Sequence, residues 1–166
     1  LVTWADVEIG LSLEADGAPF PVVTWQAGEV TLTILPWVDG TDEALTLRTT
    51  YQVENRSNHE VRLAVTVRPF QVNPPWQAFR NLGGRSPIRQ IDCDGAGMTV
   101  DGRRVDANRP PAANGAVTFE EGGVVDFLSR GELRTASVVN DRSELASAAM
   151  VWNLPAGGDV FEVTVS

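Results

Sequence analysis

Leu45-Thr46-Leu47-Arg48-Thr49-Thr50-Tyr51-Gln52-Val53, the polar run Glu54-Asn55-Arg56-Ser57-Asn58-His59-Glu60, and then Val61-Arg62-Leu63-Ala64-Val65-Thr66-Val67 decide the fold class. Leu45, Leu47, Thr49, Tyr51 and Val53 recur at every second position, as do Val61, Leu63, Val65 and Val67. A period of two is the signature of a strand with one buried face. The polar run holds two Asn residues, which tolerate left-handed backbone angles, so it predicts a hairpin connection and antiparallel pairing. The same alternation appears upstream in Val30, Leu32 and Ile34. Downstream, Asp101-Gly102 inside Thr99 to Val105 predicts a second hairpin with a two-residue turn. Ala149 to Leu154 and Val160 to Val165 flank Pro155-Ala156-Gly157-Gly158-Asp159 and predict a third, with Phe161, Val163 and Val165 closing the sheet. Leu47, Tyr51, Leu63, Val65, Phe161 and Val163 are expected to share one core.

Two stretches are less regular. Phe70 to Pro87 and Asn108 to Gly115 are rich in Pro and Gly and predict long loops. Helical spacing is brief, in Val124, Val125 and Leu128 with Gly131 as a C-terminal cap, and again around Trp76 to Leu82. About a dozen strands with one or two short helical turns define an all-β, antiparallel β-sandwich over residues 1–166 as one domain.

Composition removes several classes of function. In 166 residues there are 22 acidic and 13 basic side chains, a formal charge of −9, which repels a nucleic-acid backbone or an anionic membrane. No apolar run reaches the roughly 20 residues that span a bilayer. The lone cysteine, Cys93, and the lone histidine, His59, supply neither a disulfide nor a transition-metal site, so no metal and no cofactor are expected. The start, Leu1-Val2-Thr3-Trp4, has neither an initiator Met nor a signal-peptide pattern, so the chain reads as excised from a longer one.

Catalytic motifs are missing as well. His59 falls in a predicted turn, where a solvated role is the ordinary one. There is no nucleophile elbow, no phosphate-binding loop, and Gly95-Ala96-Gly97 lacks the third Gly of a dinucleotide fingerprint. Glycoside hydrolysis needs only two facing carboxylates, and Asp92 with Asp94, Asp39 with Asp42 and Glu43, and Glu120 with Glu121 are the candidates. Sequence neighbours rarely face one another across a cleft, so these clusters read as solvated surface. Asp39 to Glu43 also misses the spacing of a calcium loop. Asn55-Arg56-Ser57 matches a glycosylation acceptor, but its Asn already has a turn role.

The most unusual segment is Arg68-Pro69-Phe70-Gln71-Val72-Asn73-Pro74-Pro75-Trp76-Gln77. Trp76 is suited to stack on a sugar ring while Gln71, Asn73 and Gln77 bond its hydroxyls. Alternatively, Phe70 and Trp76 plug one end of the sandwich, Arg68 pairs with a carboxylate, and the prolines fix a rigid corner. The second use is the expected one, with Trp76 serving packing more than recognition. Trp4, Trp25, Trp37 and Trp152, on or beside strands, are expected in the core.

With Gly83-Gly84, Ser86-Pro87-Ile88, Val100 to Val105, Phe119 with Gly122, and Leu128-Ser129-Arg130-Gly131, this segment resembles a non-catalytic β-sandwich domain of large bacterial proteins. Those proteins are labelled discoidin or coagulation factor 5/8 type C domain proteins and carry six-hairpin, (α/α)6 glycosidase-like regions. The likeness spans roughly residues 45 to 155, about two thirds of the chain. It implies a galactose mutarotase-like supersandwich beside a helical barrel that holds the catalytic acids. Arg68, Gln71, Asn73, Trp76 and Gln77 would then be a corner or a docking edge, and the partners would be other domains of the same parent chain. Three readings follow. An accessory domain predicts an exposed apolar patch larger than a few hundred Å². A carbohydrate-binding module predicts a groove with two coplanar exposed aromatics. A small glycosidase or epimerase predicts two facing carboxylates in a pocket, one with a perturbed pKa.

Overall fold

A computed structural model describes residues 1–14, 19–41, 44–71 and 85–166, the side chains of Gln71 and Arg85 excepted. The architecture is the expected one, an antiparallel β-sandwich with very little helix. The strands are β1 Glu8–Leu13, β2 Pro21–Ala27, β3 Val30–Thr41, β4 Ala44–Asn55, β5 Val61–Val67, β6 Phe70–Gln71 and β7 Arg85–Ser86. They continue as β8 Gln90–Cys93, β9 Gly97–Val100, β10 Arg103–Ala107, β11 Ala113–Val117, β12 Val138–Asn140, β13 Ser147–Leu154 and β14 Gly157–Val165. A large sheet of nine strands runs β1-β2-β3-β4-β14-β10-β9-β8-β12, and a small sheet of three runs β11-β13-β5. The short pair β6-β7 stands apart.

The alternation was read correctly, but two of the three hairpins were not. The run Glu54 to Glu60 does not pair the strands it joins: β4 lies in the large sheet between β3 and β14, whereas β5 pairs with β13 in the small one. Pro155 and Ala156 likewise carry the chain from β13 in the small sheet to β14 in the large one. Both turns are arches between layers. One side chain closes both: the Asn55 amide nitrogen donates to the carbonyls of His59 at 2.7 Å and Pro155 at 3.2 Å. Its oxygen accepts from the Ser57 hydroxyl at 2.6 Å and the Ser57 N–H at 3.1 Å. Asn55 is buried, so all four bonds replace water that it has lost.

The hairpin that did form is β9-β10. Asp101 and Gly102 both have positive φ, 46° and 86°, which gives the mirror-image turn whose twist matches the strands it joins. The Asp101 carboxylate also accepts the N–H groups of Arg89 and Gln90, fixing the start of β8. The predicted loop from Asn108 to Gly115 is shorter than expected, because Ala113, Asn114 and Gly115 already pair with β13 as the start of β11. Gly115 is obligatory there, because a Cβ would sit 1.6 Å from the Arg134 carbonyl oxygen.

The core fills the space between the sheets. Trp152 on β13 stacks on Phe161 of β14 at 4.4 Å, and Phe161 on Tyr51 of β4 at 5.5 Å, while the Trp152 N–H reaches the Arg109 carbonyl at 3.0 Å. Leu63, Val65, Val163, Tyr51 and Phe161 belong to this cluster as expected. Leu47 does not, being 42% exposed. Trp152 is buried and Trp25 packs against the core, but Trp4 is 68% exposed in a short 3-10 turn, Trp4–Asp6. Trp37 is only half-buried, with the Arg48 guanidinium 5.4 Å above its ring. The expected helix α1, Val124–Ser129, lies on the far side of the small sheet, where Val124 meets Val117 and Ala149. Gly131 follows it with φ 75°, as a C-terminal cap requires. The helical turn read around Trp76 to Leu82 lies outside the described residues.

Candidate docking face

The proposed recognition segment is only partly in view. Arg68 is exposed just beyond β5, and Gln71 ends β6; Asn73, Trp76 and Gln77 lie outside the described residues. Phe70 is 65% exposed, so it does not plug the sandwich as the corner reading required. Its strand is two residues long and, among the described residues, pairs only with β7.

The carboxylate clusters are tied into local structure. Asp94 accepts from the N–H groups of Ala96 at 2.9 Å and Gly97 at 2.8 Å, and from the Arg104 guanidinium at 2.6 Å. Those bonds, Arg104's first, hold its carboxyl well below the usual range. Asp92 accepts from the Gln90 amide at 2.9 Å. Cys93, between them, points toward the core, and burial followed by the charges of Asp94 and Asp92 pushes its thiol up to about 11. Asp39 accepts the Gly40 N–H at 2.8 Å, while Asp42 and Glu43 lie outside the described residues. Glu121 pairs with Arg134 and caps Thr118. His59 is exposed and uses its backbone carbonyl, not its ring, to accept from Asn55.

What the alternation did build is a large apolar face only partly covered. Directly opposed residues in an antiparallel sheet point to the same side. The register links Ile9 to Trp25, Trp25 to Leu32 and Leu32 to Val53, and also Leu11 to Val23, Val23 to Ile34 and Ile34 to Tyr51. Val38 opposes Leu47, and Gly40 opposes Leu45. All of these therefore share the side on which Leu32, Val53 and Phe161 meet the small sheet. Three strands cannot cover nine. Leu11 and Leu13 on β1 are 77% and 64% exposed, Leu45 on β4 is 58% exposed, and Ile9, Val38 and Leu47 are exposed with them. The opposite side carries Gln26, Thr31, Thr33, Gln52 and Glu54, with Thr31 bonded to Gln26 at 2.6 Å. That side is built for water and the inner side is not.

Sequence reading placed Leu45 and Leu47 on the apolar side of a strand and expected Leu47 in the core, and it did not single out Ile9, Leu11 and Leu13. Their spacing of two was the available signal. No protein-family model matches the chain, and no curated protein matches it. The fold defines an all-β sandwich protein with an uncovered inner face.

Proposed function

We propose that this chain is a non-catalytic accessory domain of a larger carbohydrate-active protein, and that the uncovered inner face of the large sheet is where its neighbouring (α/α)6 domain packs. The observation that carries the reading is the exposure of Ile9, Leu11, Leu13, Val38, Leu45 and Leu47 on one side of one sheet. Burying a Leu side chain that is now mostly exposed is worth roughly 1 to 2 kcal/mol, so six such positions are a substantial interface. Among the described residues, the carboxylates with named partners bond to backbone N–H groups, hydroxyls, an amide or arginine rather than to each other, which fits a supporting role.

Leu11→Lys and Leu45→Lys in the natural full-length protein test this. In the isolated domain each should change stability by less than about 0.5 kcal/mol, as exposed sites do. In the full chain they should loosen the neighbouring domain and open new protease sites between the two. Full-length variants that resist proteolysis and unfold like wild type would refute the reading. Glycan binding by the isolated domain would favour a carbohydrate-binding module instead.

A further inference from the structure

Among the described residues the small sheet ends on one side at β5, which pairs there only with β13. Along its free edge runs a groove of about 500 Å³ whose walls lie on both sides of the sheet. On the inner side, Leu63 and Leu154 face Trp25, Leu32 and Val53 of the large sheet. On the outer side stand Ala64 and Val151, paired with each other, together with Leu128 of α1. The groove therefore wraps around the edge of one strand.

An extended strand is the shape that fits this. Its backbone lies in the plane of the sheet while successive side chains point to opposite sides. Edges are usually guarded by a proline, a bulge, a lysine or a covering element. β5 reads Val-Arg-Leu-Ala-Val-Thr-Val and carries only Arg62. That arginine is itself informative. Arg48, Arg56, Arg89, Arg104, Arg109, Arg130 and Arg134 are ion-paired, whereas among the described residues Arg62, like Arg68, Arg103 and Arg142, is not, and of these four only Arg62 lines the groove. Arg62 reaches only the Gly131 carbonyl, at 3.5 Å, and among the described residues no carboxylate lies within ion-pair distance. In a chain of charge −9, a guanidinium left without a carboxylate in an otherwise apolar groove selects for an acid on the occupant.

We propose that the free edge of β5 is a strand-addition site for an extended segment of a partner protein, apolar on both faces and carrying one carboxylate opposite Arg62. The segment becomes the fourth strand of the small sheet. Main-chain bonds to the edge supply affinity, and the two apolar walls with Arg62 supply register. This site adjoins the inner-face contact proposed above, because Trp25 of its inner wall opposes Ile9, but it uses the edge of β5 rather than β1 and the far ends of β3 and β4.

The probe is a synthetic peptide of 7 residues, the length of β5, with valines on both faces, one central glutamate, and solubilising residues outside that stretch. Binding is followed by the fluorescence of the protein and by amide exchange. The proposal expects slowed exchange across Val61–Val67 and a loss of about tenfold or more in affinity when a central valine becomes proline, which cannot donate to the ladder. Arg62→Glu, at an exposed position, should fold normally and weaken the glutamate peptide by about tenfold, while a lysine peptide recovers the loss. Equal binding of the proline peptide would overturn the proposal, because it would make the groove a general apolar sink. Dodecanoate binding without peptide binding would overturn it in favour of a small amphiphile. Protection of β5 by self-association, or no peptide binding at millimolar concentration, would overturn it too.

Discussion

Asn55→Ala removes the one side chain that holds both arches between the sheets. Four hydrogen bonds are lost, to the His59 and Pro155 carbonyls and from the hydroxyl and N–H of Ser57. At a net value near 1 kcal/mol each the sum would approach about 4 kcal/mol. Ser57 and His59 lie at a turn that water reaches, so their groups are partly re-solvated and the loss there is smaller. The expected destabilisation is about 2 to 3 kcal/mol, read as a shift in denaturant midpoint without a change in slope. Asn55→Asp is the sharper test, since it keeps the acceptor for Ser57 but sets a buried charge against two carbonyls. It should cost at least as much as Asn55→Ala at neutral pH, and recover in acid as the carboxyl protonates and regains a donor. The same geometry makes Asn55 a poor glycosylation acceptor, because its nitrogen is buried and already donates twice, so secretion through a glycosylating host should leave it unmodified. A loss under about 0.5 kcal/mol for both variants would refute the claim that this side chain ties the layers together.

Three further outcomes follow from the core. Tyr51 is the only tyrosine, and burial raises its phenol to about 12, so phenolate absorbance should titrate near there in the folded protein and near 10 in denaturant. The sign follows: its contribution to stability is complete below pH 10 and is lost as pH rises toward 12, and a folded-state titration near 10 would contradict the packing on Phe161. Cys93, with its thiol near 11 rather than its ordinary 9, should be alkylated about a hundredfold more slowly at neutral pH than in the unfolded chain. Equal rates would mean that β8 opens freely. Trp152→Ala should cost about 3 to 5 kcal/mol in a denaturant melt, through its lost stack on Phe161 and the orphaned Arg109 carbonyl. A loss below about 1 kcal/mol would show that the core closes over the gap.

The candidate sites were less legible than the fold. Lone Cys93 and His59 argued against metal and nucleophile chemistry from composition, and Asp92 and Asp94 are tied into local structure as their reading expected, while Asp42 and Glu43 lie outside the described residues. The exposed apolar face was half visible, as Leu45 and Leu47 in an alternating strand, and Leu47 was expected in the core. Alternation reports that one side of a strand avoids water in the finished protein. It does not report what stands opposite.

The sequence by itself determined the strands β3, β4, β5, β9, β10, β13 and β14, the all-β class, the Asp101-Gly102 hairpin, and the helical turn ended by Gly131. Each follows from a local rule, a period of two or a backbone angle that only certain residues accept. Tertiary structure alone decided that Glu54 to Glu60 and Pro155-Ala156 are arches rather than hairpins. Turn residues dictate that the chain reverses, but which layer it enters depends on partners far away in sequence, such as Pro155 bonded to Asn55. It also decided that three strands would cover nine, leaving β1 and the far ends of β3 and β4 bare, because coverage is a property of the number of strands in each layer and no short stretch of sequence encodes it.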